Sequence, residues 1–418
     1  LPSLLNPQHP TLNTRMYIRL AWRNLWRNKR RTLITSASVF FAVLLAIAMR
    51  SMQLGSYDNM IDNIVRFYTG YAQIHKNGYW NEQTLDNSFE QNDSLETLAT
   101  QNENIASVIP RLETFALASN EARSRGVLVV GIEPEKEKTL TDIPGKIING
   151  KYFNAEDKSV LLTSDLAKYL KIETGDTLVL LGQGYHGSNA AAKYPVSGIV
   201  KFNSPELNKR FIFLPLKEMQ WFVDAPNRIT SLVVMTQAES VKQVTQFLAA
   251  KTDTTYEVMD WQAMLPEIVQ AIEADSIGGI IVLCILYIII GFGIFGTVLM
   301  MTAERRHEFG VLIALGMKRF QILIVLALEG IFLTLLGVAA GTAASLPVVG
   351  YFHFNPIPLS DEMKTISEAY GLEAVLPFSI APEIFGYQAL TVLIIALISM
   401  SYPLYRIMSI QPSQAMRA

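Results

Sequence analysis

Four stretches of uncharged, mostly apolar residues interrupt the chain, and each is long enough to cross a bilayer as a helix, which takes about 20 residues. The first, TLITSASVFFAVLLAIAM, lies between Arg31 and Arg50. The second runs from Ser276 to Ala303 between Asp275 and Glu304, and the fourth from Ile384 to Tyr405 between Glu383 and Arg406. The third begins near Phe320 and continues past a single acid, Glu329, through IFLTLLGVAAGTAASLPVVGYF. Buried helices of soluble proteins rarely run so far without a charge, so the pattern predicts four transmembrane helices.

Between the first two stretches lie roughly 220 residues of different texture, long enough to bury a core of their own. The runs RGVLVVGIE, SVLLTSDLAKYL, ETGDTLVLL, YPVSGIV and RFIFLP read as strands punctuated by Gly and Asp. Further on, SLVVM (231–235), the helically spaced ESVKQVTQFLAAK (239–251) and YEVMDW (256–261) predict a β-α-β unit. The expected fold class is an α-helical membrane protein with four transmembrane helices and a large α+β extracytoplasmic domain inserted between helices 1 and 2. GQGYHGSNAAAK (182–193), between two strands, reads as a flexible hairpin tip and a candidate partner-binding loop through Gly182, Tyr185, His186 and Asn189. The chain divides into a leader, tag or disordered segment (1–15), an interfacial helix with the first span (16–51) and the outer domain (52–274). The second span (275–303), a short link (304–319), the third span (320–350), an outer loop (351–384), the fourth span (385–405) and a tail (406–418) follow.

Charge orients this arrangement. Residues 15–31 carry seven basic residues and no acid, the link 303–319 four basic and two acidic, and the tail two basic. The segment 52–274 carries 20 basic against 28 acidic residues. Positive loops stay inside, so both termini and the link are expected to be cytoplasmic and the large domain outside, as four spans require. Only 17% of the 418 residues are charged, against about 25% in soluble domains. A formal charge of −2 carries no basic excess for nucleic acid, and one cysteine excludes a disulfide framework. After the three prolines of residues 1–15, Met16 reads as a plausible native start. Tyr17, Leu20, Trp22, Leu25 and Trp26 alternate with Arg19, Arg23, Arg27 and Arg30, which suits a helix at the lipid surface.

Most motifs for catalysis are absent. No G-x-x-x-x-G-K-S/T loop occurs, so the chain has no P-loop for a nucleoside triphosphate. Gly291, Gly293 and Gly296 form G-x-G-x-x-G inside the second apolar stretch, where the spacing serves helix packing; Gly337 and Gly341 repeat the small-x-x-x-small pattern in the third. The five histidines show no paired spacing for a metal. Two features point to function. Glu329, about three turns into the third span, costs several kcal/mol unless paired, which implies a functional or packing role. The link ERRHEFGVLIALGMKRF places charges at both ends of an apolar centre, the pattern of a short helix that docks into a groove of a cytoplasmic protein.

That link resembles the signature of the FtsX-like/MacB-like ABC transporter permeases, through Glu304, Arg305, Arg306, Glu308, Gly310, Ala314, Leu315 and Gly316. RLAWRNLWRNKRRTLIT is similar to the family's first helix, and YPLYRIMSIQPSQAMRA to its Pro-x-x-Ala-Leu-Arg ending, with Met416 in place of leucine. TGDTLVLL, YPVSGIV and FIFLPLKEMQ resemble its outer domain, and Glu329 falls where many members carry an acid. The resemblance implies a type VII ABC permease fold. It also implies a chain that binds no cofactor itself, with ATP and Mg held by two copies of a separate ATPase, and a second permease, identical or paralogous. Glu304, Arg305, Arg306, Glu308, Phe309, Gly310, Leu315 and Gly316 would contact the ATPase, and its closing would move the outer domain by mechanotransmission in the bacterial inner membrane. The unfused layout looks most like the lipoprotein-releasing (LolC/LolE-type) subunits, whose further partners are lipoproteins and a periplasmic carrier or adaptor. Export of a peptide, antibiotic or lipid through a tripartite assembly, ATPase-gated control of a cell-wall hydrolase, a membrane sensor and an ion-driven carrier are the alternatives.

Overall fold

The computed structural model describes residues 14–364 and 374–408. The leader assigned to 1–15 lies outside these except for its last two residues, and the ending from residue 409 onward lies outside altogether. Two compact units form, one containing the four spans and the other comprising Tyr57–Glu273 with Pro358–Val375. Part of the outer loop expected at 351–384 therefore belongs to the outer unit.

In the membrane unit, four helices are long and apolar enough to cross a bilayer, among the described residues. They are the first span Lys29–Ile61, the second Pro266–Glu304, the third Arg319–Phe354 and the fourth Pro382–Met408. The first and second run beyond their predicted limits because polar residues outside the hydrocarbon continue the helix. Val39, Val43 and Ile47 of the first span meet Ile290, Ile294 and Val298 of the second, Val338 of the third and Val392, Ala396 and Met400 of the fourth in one apolar core. Gly337 and Gly341 let the third span approach the first closely: a Cβ on Gly337 would lie 2.6 Å from that of Val39, and one on Gly341 2.8 Å from the Phe40 carbonyl oxygen. The G-x-G-x-x-G glycines differ. Gly291 faces Ser399 and Ile395 of the fourth span, while Gly293 and Gly296 meet nothing.

The outer unit starts from a four-stranded antiparallel sheet in the order β12-β1-β11-β3. Its strands are β1 (Ala72–Lys76), β3 (Ile105–Asn120), β11 (Ser231–Thr236) and β12 (Tyr256–Asp260). The predicted β-α-β unit exists, with the helix Val241–Lys251 between β11 and β12, but it is split: β1 lies between its strands, pairing Ala72 with both Val234 and Asp260. With the helix Asp93–Thr100 between β1 and β3, this is the β-α-β-β-α-β ferredoxin-like arrangement. Asn92, in a potential glycosylation triplet, caps that helix by accepting from the Ser94 amide. A short β2 (Phe89–Glu90) pairs with β10 (Arg228–Ile229) beside the sheet.

Everything between β3 and β11 is an insertion built on the far half of β3. The strands β4 (Arg123–Ile132), β6 (Val160–Thr163), β7 (Thr177–Gln183), β8 (Asn189–Val200) and β9 (Phe211–Pro215) join β3 in a closed ring, β3-β4-β9-β6-β8-β7 and back to β3, with β5 (Ile147–Gly150) paired to the end of β8 beyond its β7 pairing. Closure leaves these six without a free edge. Ala116, Ala118, Val127, Leu178, Leu180 and Ile212 belong to the apolar core inside. On the other face Leu128, Val130, Leu161, Phe211 and Phe213 are covered by Phe153, Phe202 and Leu207. Burial on both faces explains why VLVVGI, VLLT and FIFLP are continuous apolar runs instead of alternating ones.

Candidate functional site

The site is built where the amino-terminal helix, the link and the base of the third span converge. The amino-terminal helix, Thr14–Arg27, turns Tyr17 and Ala21 against Val325 and Leu25 towards Phe309, Ile322 and Leu326. Trp22 and Trp26 remain exposed. Only part of this helix is therefore free to face lipid, because the positions four apart that were expected at the headgroup level include the set that packs on the third span.

The link forms a helix, Arg306–Ala314, and its end is written in the residues ALGM. Gly316 takes a φ of +97°. Its amide donates to the Ile313 carbonyl and that of Met317 to the Leu312 carbonyl, the two bonds of a Schellman cap. The third span then begins at Arg319, so the link is a rigid helical turn and not a floppy connection.

Glu329 is buried and is not alone. Arg305 at the start of the link places Nη1 2.9 Å and 3.0 Å from its two carboxylate oxygens, and Asn24 of the amino-terminal helix donates to it at 2.6 Å. Arg305 also reaches Glu308, its Nε 2.9 Å from Oε2, and lies over the buried Phe309 ring. Glu308 accepts from Arg27 at 2.6 Å, and Glu304 from Arg31 at 2.5 Å. The Arg27 guanidinium, followed by that of Arg305, holds the Glu308 carboxyl below the usual carboxylate range. A cavity of about 490 Å³, lined by Asn24, Arg305, Phe309, Leu312 and Val325 among others, lies beneath this network.

The eight link residues thus separate into two groups. Glu304, Arg305 and Glu308 form ion pairs, and Phe309 and Gly310 are buried, so these five hold the link in place. Arg306, Leu315 and Gly316 are exposed; Leu315 retains 80% of its surface. Asn24 and Arg31 were not singled out from the sequence as partners of the link, and Arg27 was read as a lipid-facing arginine. The signal for Asn24 and Arg27 was a spacing of three residues on the amino-terminal helix, which also suited lipid contact, whereas Arg31 stands on the first span.

The second candidate, 182–193, is a correction. It is no flexible loop: Gly182 pairs with Ala190 and Gln183 with Asn189 in the β7–β8 ladder, leaving only residues 184–188 as the turn. The turn is docked. The Tyr185 amide donates to the Val223 carbonyl, Arg228 lies 4.5 Å from the Tyr185 ring centroid, and the His186 amide donates to Asp86. Alanines 190–192 have strand-compatible side chains that alternate between the core and solvent, which a composition-based reading takes for loop.

Comparison with known proteins agrees with this architecture. Residues 32–251 match the model of the MacB-like periplasmic core domain, and residues 280–412 that of the FtsX-like permease C-terminal domain. The lipoprotein-releasing system transmembrane protein LolC of Neisseria meningitidis serogroup B is 19% identical over 400 residues, 92% of this chain and 94% of its own. LolC of Xylella fastidiosa is 20% identical over 336 residues, 77% and 79% of the two chains. The macrolide export ATP-binding/permease protein MacB of Escherichia coli is 22% identical over 356 residues, 79% of this chain but 52% of that protein. With the core-domain match alone spanning more than half of the residues and the permease match running from within the second span through the third and fourth, the chain belongs to the FtsX-like/MacB-like family of ABC transporter permeases.

Proposed function

We propose that the chain is the membrane subunit through which a separate ATPase, with ATP and Mg, drives the outer domain. The observation that carries this is the link: a capped helix pinned from behind by Arg27, Arg31, Arg305 and Glu329, with Arg306, Leu315 and Gly316 turned outward. A push on such an element moves the amino-terminal helix and the third span with it, since both are tied to it by charge-assisted hydrogen bonds. Two ATPase copies would act on two permeases, the second a copy or a paralogue. The charge distribution supports cytoplasmic termini and link, with the outer domain periplasmic, in a bacterial inner membrane.

Release of lipoproteins from that membrane is the reading favoured for the cargo, supported by the end-to-end likeness to LolC. The β7–β8 turn, docked on Val223, Arg228 and Asp86, favours a second reading, export of a peptide, antibiotic or lipid through a tripartite assembly; the name of the MacB relative speaks of macrolide export. Mild purification of the full protein followed by mass spectrometry of what stays bound tests both. A stoichiometric ATPase with acylated lipoproteins is the expected result. An ATPase with a periplasmic adaptor or a cell-wall hydrolase moves the function to export or wall control, and no ATPase overturns the proposal.

A further inference from the structure

A buried charged cluster sits where the chain arriving from the first span joins the outer unit. Residues 62–69 form a π-helix, a rare conformation that is enriched at functional sites. The next residues lead into β1. Arg111, on β3, is 1% exposed, and its guanidinium ties two further segments to that strand. Nη1 donates to the carbonyl of Tyr68 in the π-helix, while Nε and Nη2 grip Glu137, which is fully buried on the helix Pro134–Thr141, at 3.2 Å and 2.5 Å. The Tyr68 hydroxyl donates to Glu113 at 2.9 Å, and its ring packs edge-on against Phe211 of β9.

The position of Arg111 along β3 matters as much as its contacts. It is paired with Ser231 of β11 on one side and Ile132 of β4 on the other, the residue at which β3 passes from the ferredoxin-like sheet to the closed barrel. Burying an ion pair is a poor route to stability, since apolar residues of the same volume do as well. What this pair adds is direction: one planar group fixes the register of the π-helix, the sheet-to-barrel junction and the Pro134–Thr141 helix.

We propose that Arg111, through the Tyr68 carbonyl and Glu137, is the positioning residue that clamps the π-helix to the sheet-to-barrel junction, and that load from the first span enters the outer domain there. This second clause rests on the ATPase-driven reading above. The test is hydrogen–deuterium exchange on the full protein in detergent, with and without the co-purified ATPase and ATP. Arg111→Met with Glu137→Leu replaces the pair by apolar groups, leaving Glu113 its tyrosine partner. In this double variant residues 62–69 should exchange at least tenfold faster while β3 and β4 keep their protection. The ATP-dependent exchange change seen in the outer domain of the unsubstituted protein should vanish, with ATP hydrolysis within twofold. Unaltered protection at 62–69, or an ATP-dependent change that persists, overturns the clamp. If the double variant loses protection throughout, Arg111→Lys decides, because it keeps a buried cation beside both carboxylates but gives up the planar fork that grips Glu137 and the Tyr68 carbonyl together: faster exchange confined to 62–69 is expected, and none overturns the proposal. Should the unsubstituted protein show no ATP-dependent change, the ATPase-driven reading fails, while the exchange at 62–69 still decides the clamp.

Discussion

Arg305 and Glu329 are 24 residues apart and belong to different elements, yet the guanidinium lies within 3.0 Å of both carboxylate oxygens. Their side chains retain 11% and 3% of their surface. An acid inside an apolar run is thereby neutralised by the link, and the first three turns of the third span serve as a wall for the link and amino-terminal helix as well as a membrane segment. The pairing makes Glu329 a structural partner of the coupling element and leaves a proton-relay role without supporting geometry.

Removing one member of this pair strands the other. Glu329→Leu should lower stability by about 3 kcal/mol, the usual cost of leaving a buried charge unpaired. Combining it with Arg305→Met should recover most of that loss. Thermal unfolding of both variants in detergent checks this; a double variant no more stable than the single would mean that Glu308 alone satisfies Arg305.

Glu308 contacts Arg27 and Arg305 at once but is 43% exposed in its side chain, so its pairs contribute little to stability, about 1 kcal/mol or less each. Its importance should lie in position. Glu308→Lys sets a third cation beside two arginines and should displace the link, reducing ATP hydrolysis by the reconstituted complex at least tenfold with membrane insertion intact. Hydrolysis at the unsubstituted rate would show that the link can shift without consequence.

Leu315 presents the opposite case, an apolar residue that retains 80% of its surface. Leu315→Asp should leave the unfolding temperature unchanged, as surface substitutions usually do within about 0.5 kcal/mol, and weaken association with the ATPase by tenfold or more. Equal binding by pull-down and titration would remove this residue from the contact surface.

The four spans were legible because the bilayer imposes a length and a composition on each. The twice-buried strands β4, β6 and β9 were legible for a related reason, as runs such as VLVVGI have no polar face to hide. Partnerships were not. Nothing local tells Glu329 that it will meet Arg305 and Asn24, since that depends on how three helices rotate about their axes. Closure of the barrel rests on β3 pairing with β7, Leu117 opposite Leu181, across an interval that no local pattern measures. The same holds for β1 entering between β11 and β12: a strand of five residues with no turn signal towards either partner. For the link, the apolar centre was visible, but which side faces outward was settled by its ion pairs.

Glycine spacing in the spans offers a controlled comparison. Even a methyl group on Gly337 would press on Val39 and the Ser36 carbonyl, whereas one on Gly293 meets open space. Gly337→Leu should therefore destabilise the membrane unit by about 2 kcal/mol through overpacking. Gly293→Ala should stabilise it by about 0.5–1 kcal/mol, since alanine loses less backbone freedom in a helix. Denaturation in mixed micelles distinguishes them, and similar values for both would mean that the third span can move away from the first at little cost.

His75 on β1 is fully buried, with Nε2 2.7 Å from the Gln73 side-chain oxygen, Nδ1 unpaired, and Tyr79 and Trp80 beside its ring. Burial, which disfavours the imidazolium, brings its pKa down to about 4. In the unfolded chain the same group titrates near 6.5. Between these values the unfolded state binds the extra proton, so stability falls as pH drops from about 6.5 to about 4 and changes no further below that on account of this residue. The full interval corresponds to about 3 kcal/mol. Unfolding followed by Trp80 fluorescence should show a larger loss of melting temperature between pH 7 and 4.5 in the unsubstituted protein than in His75→Gln, because the amide has no proton to gain. Equal losses in the two would place the acid sensitivity of the outer domain elsewhere than in His75.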